Sequence, residues 1–303
     1  MNAKEFFTKG WPTRLGFYMG KYLPRHGGML GAGIAARILV TLKPDIYHAV
    51  RDNQRQVLGP DVTAAELHRA TYYVLRGAAR NYYEMFHNIG RGRVNVENFH
   101  PPVRLLPEAE ANIRAALETG RGLLLLGCHM SNFDMSGMAF SQYAPSPVLV
   151  LALADPPPGF ELFNELRRKG GAHIMPISPR SLREALVILR EGGLVLTGID
   201  RPVAAEGPPV EFFGAPSALP SGYVRIPLKT NSLVCTLCTY YEEGEYHIHI
   251  NPPLEMEYTG DRDLDVTHNL RRILAEIEAF IRREPQQWMM FVRVWPELSQ
   301  NTP

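Results

Sequence analysis

The chain has 303 residues, enough to bury a substantial core in one α/β domain or in one domain with an appended helical segment. Its formal net charge is +1 and 45% of its residues are hydrophobic, a globular balance with no global push toward nucleic acid. A polyanion partner would need a local basic patch, and no segment shows a basic–aromatic pattern that points to nucleic acid.

The first twenty-five residues mix Phe6, Phe7, Trp11, Leu15, Phe17, Tyr18 and Tyr22 with Lys4, Lys9, Arg14, Lys21 and Arg25, which suits a membrane interface as well as ordinary helix packing. The apolar stretch from Gly27 to Leu42 is interrupted by Arg37 and falls short of the roughly 20 residues that a span needs, so surface attachment is expected rather than crossing. Residues 1–95 read as mostly helical, with helices over Gly31–Leu42, Ile46–Gln56 and, after the cap Thr63, Ala64–Asn88. From residue 105 helices and strands alternate: helix Pro107–Thr119, strand Gly122–Leu126, a helix after Asn132, strand Val148–Leu153, helix Phe160–Lys169, strand His173–Pro176, helix Arg180–Glu191 and strand Leu194–Thr197. Such alternation predicts a largely parallel sheet with right-handed crossovers. A hairpin of Leu233–Tyr241 and Glu245–Asn251 makes the sheet mixed, and a helix over Val266–Arg283 carries an apolar stripe at a spacing of three and four. The fold class is therefore α/β, a mostly parallel mixed central sheet flanked by helices, with a helical N-terminal segment. Cys235 and Cys238 form a C-x-x-C pair, but a strand points residues three apart to opposite faces and no second ligand pair follows, so no metal site is expected. Reduced cysteines and the absence of a signal peptide point to the cytoplasmic side.

The chemistry concentrates in Gly127-Cys-His-Met-Ser-Asn-Phe-Asp134, directly behind an apolar strand whose carboxyl end is where ligands sit in such sheets. Asp134 follows His129 by five positions, too many for neighbours on one helical face. They can meet if His129 lies in the strand-to-helix turn and Asp134 in the first helical turn, with Ser131 or Asn132 as cap. The helix field then favours the carboxylate and keeps His129 neutral, while Asp134 holds one tautomer and steadies the imidazolium. A buried, hydrogen-bonded histidine is the structural alternative. A nucleophilic triad fits less well, because Ser131 lacks a nucleophile-elbow context.

His129, Asn132, Phe133 and Asp134 resemble the His-x-x-Asn-aromatic-acid box of the bacterial lipid A biosynthesis acyltransferases, which the phosphatidylinositol mannoside acyltransferases share. Asn164-Glu-Leu-Arg167-Arg168 with Gly170, Gly198-Ile-Asp200, Val210-Glu-Phe-Phe-Gly214, Pro220, Thr230, Gln287-Trp288, Arg293 and Trp295-Pro296 follow in that family's order, so the resemblance runs from Arg51-Asp-Asn53 to Pro296. The Phe-Pro-Glu-Gly-Thr-Arg block of glycerophosphate-type acyltransferases is missing. The resemblance implies a glycerolipid acyltransferase-like fold and a single acyltransferase domain over 1–303, with a helical segment over 1–100 and a catalytic core over 101–303. It also implies transfer of a fatty acyl group from acyl-CoA or an acyl carrier protein to a hydroxyl of a glycolipid or phospholipid, without a cofactor. The expected setting is the cytoplasmic face of the cell membrane, with peripheral attachment.

By that resemblance His129 is the base. Arg167 binds a phosphate or the developing oxyanion, helped by Asn132 and backbone amides. Asp200 orients the acceptor or steadies His129 or Arg167, unless it forms a plain ion pair with Arg201. Phe212, Phe213 and Gly214 border the acyl and acceptor pocket, unless they are a structural loop. A thioesterase or lipid hydrolase using the same residues on water, and a non-catalytic lipid-binding protein of the same fold, are the competing readings.

Overall fold

The computed structural model describes residues 10–153, 160–169, 171–203 and 209–296, with no side chain described for 10–15, 160–163 and 166. Lys4, Phe6, Phe7, Lys9 and Gly170 therefore lie outside the described residues, as do the side chains of Trp11, Arg14 and Leu15. Four helices come first: α1 (Gly10–Tyr22), α2 (Arg25–Leu42), α3 (Asp45–Leu58) and α4 (Ala64–Gly90). α4 begins at the expected cap, where Thr63 accepts from the Glu66 N–H and Glu66 accepts from the Thr63 N–H. This reciprocal box satisfies two amide donors that a helix start otherwise leaves without partners.

α2 inverts the usual burial pattern. Its inward face is Gly28, Ala32, Gly33, Ala36 and Val40, which lets it lie close to α4, while Leu30, Ile34, Ile38 and Leu42 face outward. Gly28 is required at that approach, because a Cβ there would sit 2.2 Å from the ring of Tyr83.

The second part alternates β1 (Val103–Leu105), α5 (Pro107–Glu118), β2 (Leu123–Gly127), α6 (Phe133–Tyr143), β3 (Val148–Ala152), α7 (Phe160–Lys169), β4 (His173–Pro176), α8 (Pro179–Arg190) and β5 (Leu194–Gly198). A short pair, β6 (Val210–Phe212) and β7 (Ala215–Ser217), then precedes α9 (Arg225–Thr230), β8 (Leu233–Glu242), β9 (Glu245–Ile250) and α10 (Arg262–Arg283). Seven strands form one sheet in the order β1-β9-β8-β2-β5-β3-β4, and every neighbouring pair is parallel except the β8–β9 hairpin. Glu243 and Gly244, both at positive φ, close that hairpin, the pattern that matches strand twist in a two-residue loop.

β2 is buried along its whole length. Leu124 and Leu126 face the core under α8 and α10, with Val195, Val234, Ala185, Leu270 and Ile277. Leu123 and Leu125 face the opposite core under α5 and α6, with Leu196, Ile113, Met138 and Phe140. Cys235 and Cys238 fall into different cores, as strand alternation requires. The α/β architecture expected from periodicity is thus present. The elements that escape the sequence pattern include β1, three residues between Pro102 and Leu106, the short helix α9, and the β6–β7 pair, which replaces the expected loop around Phe212, Phe213 and Gly214. Runs of three residues, with Pro216 in the second strand of the pair, carry too little alternation to read.

Candidate active site

The site is built where β2 and β5 end together. The two parallel strands pair in the register Leu123↔Leu194 through Gly127↔Gly198, and the Ile199 N–H donates to the Gly127 carbonyl to extend it by one step. Two residues beyond each glycine stand His129 and Asp200. The register therefore places them side by side although 71 positions separate them in the chain. Nδ1 of His129 lies 2.6 Å from Oδ1 of Asp200, and the His129 backbone N–H donates to Oδ2 at 2.8 Å. Trp288 Nε1 donates to the same Oδ2 at 2.7 Å. Asp200 is fully buried. Burial by itself would raise its pKa, but the charge of His129 and the hydrogen bonds from the His129 ring, its backbone N–H and Trp288 outweigh this and hold the carboxyl below its usual range. An ionised Asp200 accepting from Nδ1–H leaves Nε2 of His129 with a free lone pair.

This arrangement corrects the expected pairing of His129 with Asp134. Asp134 sits in the first turn of α6, after a turn in which Ser131 adopts φ +48° and its N–H donates to the Gln287 carbonyl at 2.7 Å. From there its Oδ1 takes Nε and Nη2 of Arg167, at 2.7 and 2.5 Å, while Nη1 of Arg167 donates to Asn164 Oδ1 at 2.9 Å. Among the described residues Asp134 makes no ion pair with His129. A sharp turn followed by a helix carries the carboxylate toward α7, whereas strand register brings Asp200 to the imidazole. Among the described residues Asp200 also makes no ion pair with Arg201, which feels its charge without bonding to it, while its oxygens accept from His129 and Trp288.

Asn132 is the cap of α6. Its Oδ1 accepts from the Met135 N–H at 3.3 Å and its Nδ2 donates to the Asn81 carbonyl at 3.2 Å, so the buried side chain positions the turn. The edge of Phe133 meets the His129 ring at 4.8 Å between centroids. Gly198 leaves room for that ring, because a Cβ on it would come within 2.9 Å of His129 Cε1.

His129, Asp134, Arg167, Arg201, Tyr82 and Phe133 all line one cavity of about 310 Å³. Its remaining wall is largely apolar, including Met138, Phe140, Val150, Ile174, Leu196 and Leu237. Burial first, and the Asp134 charge second, push the Tyr82 hydroxyl up to about 12, so it is a neutral donor in the cavity. Phe212 and Phe213 are not in the lining. They lie in the core against Trp288 and Trp295, with centroid separations of 6.3 Å from Phe212 to Trp288 and 6.4 Å from Phe213 to Trp288, and so brace the indole that holds Asp200. Gly214, at φ +73°, turns the backbone between β6 and β7. Trp288 itself is held by a bridge to Met130, and the Met289 N–H donates to the His129 carbonyl at 2.7 Å.

A family model described as bacterial lipid A biosynthesis acyltransferase matches residues 34–297. A phosphatidylinositol mannoside acyltransferase of Mycobacterium tuberculosis is 24% identical over 194 residues, which cover 63% of this chain and 60% of that protein. Its namesake in Mycolicibacterium smegmatis is 25% identical over 185 residues, 60% of this chain and 59% of that one. The chain thus spans about three fifths of the length of these curated relatives. Because one family model runs in a single match from within α2 through the His129 turn, the Asp200 strand and the Trp288 segment, the chain belongs to the bacterial lipid A biosynthesis acyltransferase family.

Proposed function

We propose that the protein transfers a fatty acyl group from a thioester, on coenzyme A or an acyl carrier protein, to a hydroxyl of a phosphatidylinositol-based glycolipid. The observation that carries this reading is a histidine hydrogen-bonded through Nδ1 to a buried carboxylate, with no described partner on Nε2, at the wall of an apolar cavity. Nε2 takes the proton from the lipid hydroxyl, and the oxygen attacks the thioester carbonyl to give a tetrahedral oxyanion. Collapse expels the thiolate, which takes the proton back from the imidazolium, so ester and thiol leave and the enzyme is restored. Asp200 holds the tautomer and supports the imidazolium, as a buried carboxylate does for other catalytic histidines. Arg167, fixed by Asp134 and Asn164, is a preorganised donor for the oxyanion. No acyl-enzyme is formed. The relatives, phosphatidylinositol mannoside acyltransferases, support the choice of a glycolipid acceptor, and the apolar wall suits the acyl chain.

The exposed face of α2 supports attachment to a lipid surface. Of the thirteen large apolar side chains exposed among the described residues, seven lie between Tyr18 and Leu42, and Leu30, Ile34, Ile38 and Leu42 recur every four positions along one face. No described helix is long and apolar enough to cross a membrane. A face of this kind lies in the interface plane, at the cytoplasmic leaflet in the present reading. Replacing Ile34 and Ile38 together by Glu is expected to move the protein from the pellet to the supernatant when sedimented with anionic vesicles, with its melting temperature unchanged. Equal pelleting of wild type and variant would remove this surface from the proposal.

Transfer itself is tested with purified protein, radiolabelled palmitoyl-CoA or palmitoyl carrier protein, and vesicles with or without phosphatidylinositol mannosides. Label is expected in the lipid only when acceptor is present. Release of free fatty acid at the same rate without acceptor would identify a thioesterase instead.

A further inference from the structure

We propose that Arg201 is a substrate-binding residue that grips a phosphate oxygen in the cavity beside His129; this rests on the acyl-transfer reading for the identity of the substrate. The two arginines of the cavity differ in one respect. Arg167 has a fixed partner set in Asp134 and Asn164. The guanidinium of Arg201 has no hydrogen bond and no ion pair with any described residue, although it is half-buried and lines the same cavity. The charge of the adjacent Asp200 and the Tyr82 oxygen attract it, but Asp200 gives it no hydrogen bond, its oxygens accepting instead from His129 and Trp288.

Burial draws the Arg201 guanidinium below its usual value, so its charge is kept away from full hydration. A guanidinium keeps its charge at any working pH, and partial loss of its hydration is unfavourable. An anion entering the cavity relieves that penalty. Phosphate is the matching chemistry, because the planar fork donates two parallel hydrogen bonds to its oxygens. Both substrates of the proposed reaction can supply it: the phosphodiester of a phosphatidylinositol acceptor, or the phosphates of coenzyme A and of a carrier protein's prosthetic arm. The oxyanion of the tetrahedral intermediate is the less suitable ligand, since Arg167 is already pinned in place for a small charge that forms at one point, whereas Arg201 is unpinned. The neutral Tyr82 hydroxyl, whose proton is held by burial and by the Asp134 charge, lies on the same wall.

The test compares wild type with Arg201→Gln and Arg201→Lys, first without turnover. Isothermal titration would use two soluble probes carrying phosphate, dihexanoyl phosphatidylinositol and a thioether analogue of palmitoyl-CoA. Their phosphate-free counterparts are dihexanoylglycerol and the matching N-acetylcysteamine thioether. Arg201→Gln is expected to weaken one phosphate probe by about 10-fold to 100-fold, the range for a hydrogen bond to a charged group, and to leave the phosphate-free probes unchanged. Arg201→Lys should recover part of the loss. Loss confined to the phosphatidylinositol probe assigns the acceptor phosphate, and loss confined to the coenzyme A probe assigns the donor's. Unchanged binding of both phosphate probes, or equal loss of the phosphate-free ones, would overturn the proposal. In the transfer assay KM for the same substrate should rise with kcat little changed, and a fall in kcat at constant KM would reassign Arg201 to the oxyanion and overturn it. Phosphate-dependent binding in a protein that transfers no acyl group would sink the acyltransferase reading while leaving the Arg201 site standing. Should Arg201→Gln fail to fold, the Lys variant, which keeps the charge and loses the fork, carries the same comparisons.

Discussion

His129→Ala is expected to lower kcat for acyl transfer by about 10²-fold to 10⁴-fold, the range associated with removal of a general base. Its fold should survive. The alanine keeps the backbone N–H that donates to Asp200, and Trp288 keeps its own hydrogen bond, so the buried carboxylate retains two of its three donors. Thermal melting of the variant next to wild type separates lost chemistry from lost structure. Retention of more than about a tenth of wild-type kcat would remove His129 from the role of base.

Asp200→Asn is expected to approach the same loss, about 10²-fold to 10⁴-fold in kcat, because the amide cannot support the imidazolium and can donate to Nδ1, which selects the wrong tautomer. Asp134→Asn should act differently. It weakens the seat of Arg167 and leaves the imidazole–carboxylate pair intact, so its loss should be nearer that of one oxyanion donor, about 10²-fold to 10³-fold, and should be mimicked by Arg167→Gln. If Asp134→Asn, and not Asp200→Asn, mimics His129→Ala and is not mimicked by Arg167→Gln, the assignment of the two carboxylates is reversed. The two also differ in acid. Since the Asp200 pKa is lowered on folding, its contribution to stability is present above the unfolded carboxylate value and is lost as pH falls through the folded one. Acid titration of stability in wild type should therefore show a step there that Asp200→Asn lacks.

Much of the scaffold was legible from periodicity. β4 and α7 fall on the expected residues, and most other elements differ by one to a few positions, because buried leucine runs and amphipathic helices carry their own pattern. α2 starts earlier, at Arg25, since Pro24 marks its N-terminal boundary and the Gly-rich first turn hides the period. The site was legible residue by residue but not as pairs. His129, Asp134, Arg167 and Asp200 all lie together, yet the partner of His129 depends on strand order, which local sequence does not encode. One signal was available: Leu-Leu-Leu-Leu-Gly-Cys-His129 and Leu-Val-Leu-Thr-Gly-Ile-Asp200 share a pattern, and superposing their glycines gives the observed register. The role of Phe212 and Phe213 was not legible, because a buried aromatic pair reads alike whether it borders a ligand or another indole. Nor was the lack of a hydrogen-bond partner for Arg201 among the described residues, which is a fact about neighbouring side chains and not about Arg201.

The β2–β5 register has a consequence for how activity arises during folding. Imidazole and carboxylate are supplied by strands separated by α6, β3, α7, β4 and α8, and the closing indole comes 88 positions after the carboxylate. Helix formation and local collapse are fast, whereas contacts across such sequence distances close late. A refolding chain will therefore regain its helical signal before it regains turnover, and catalytic competence will keep time with the last strand to join the sheet.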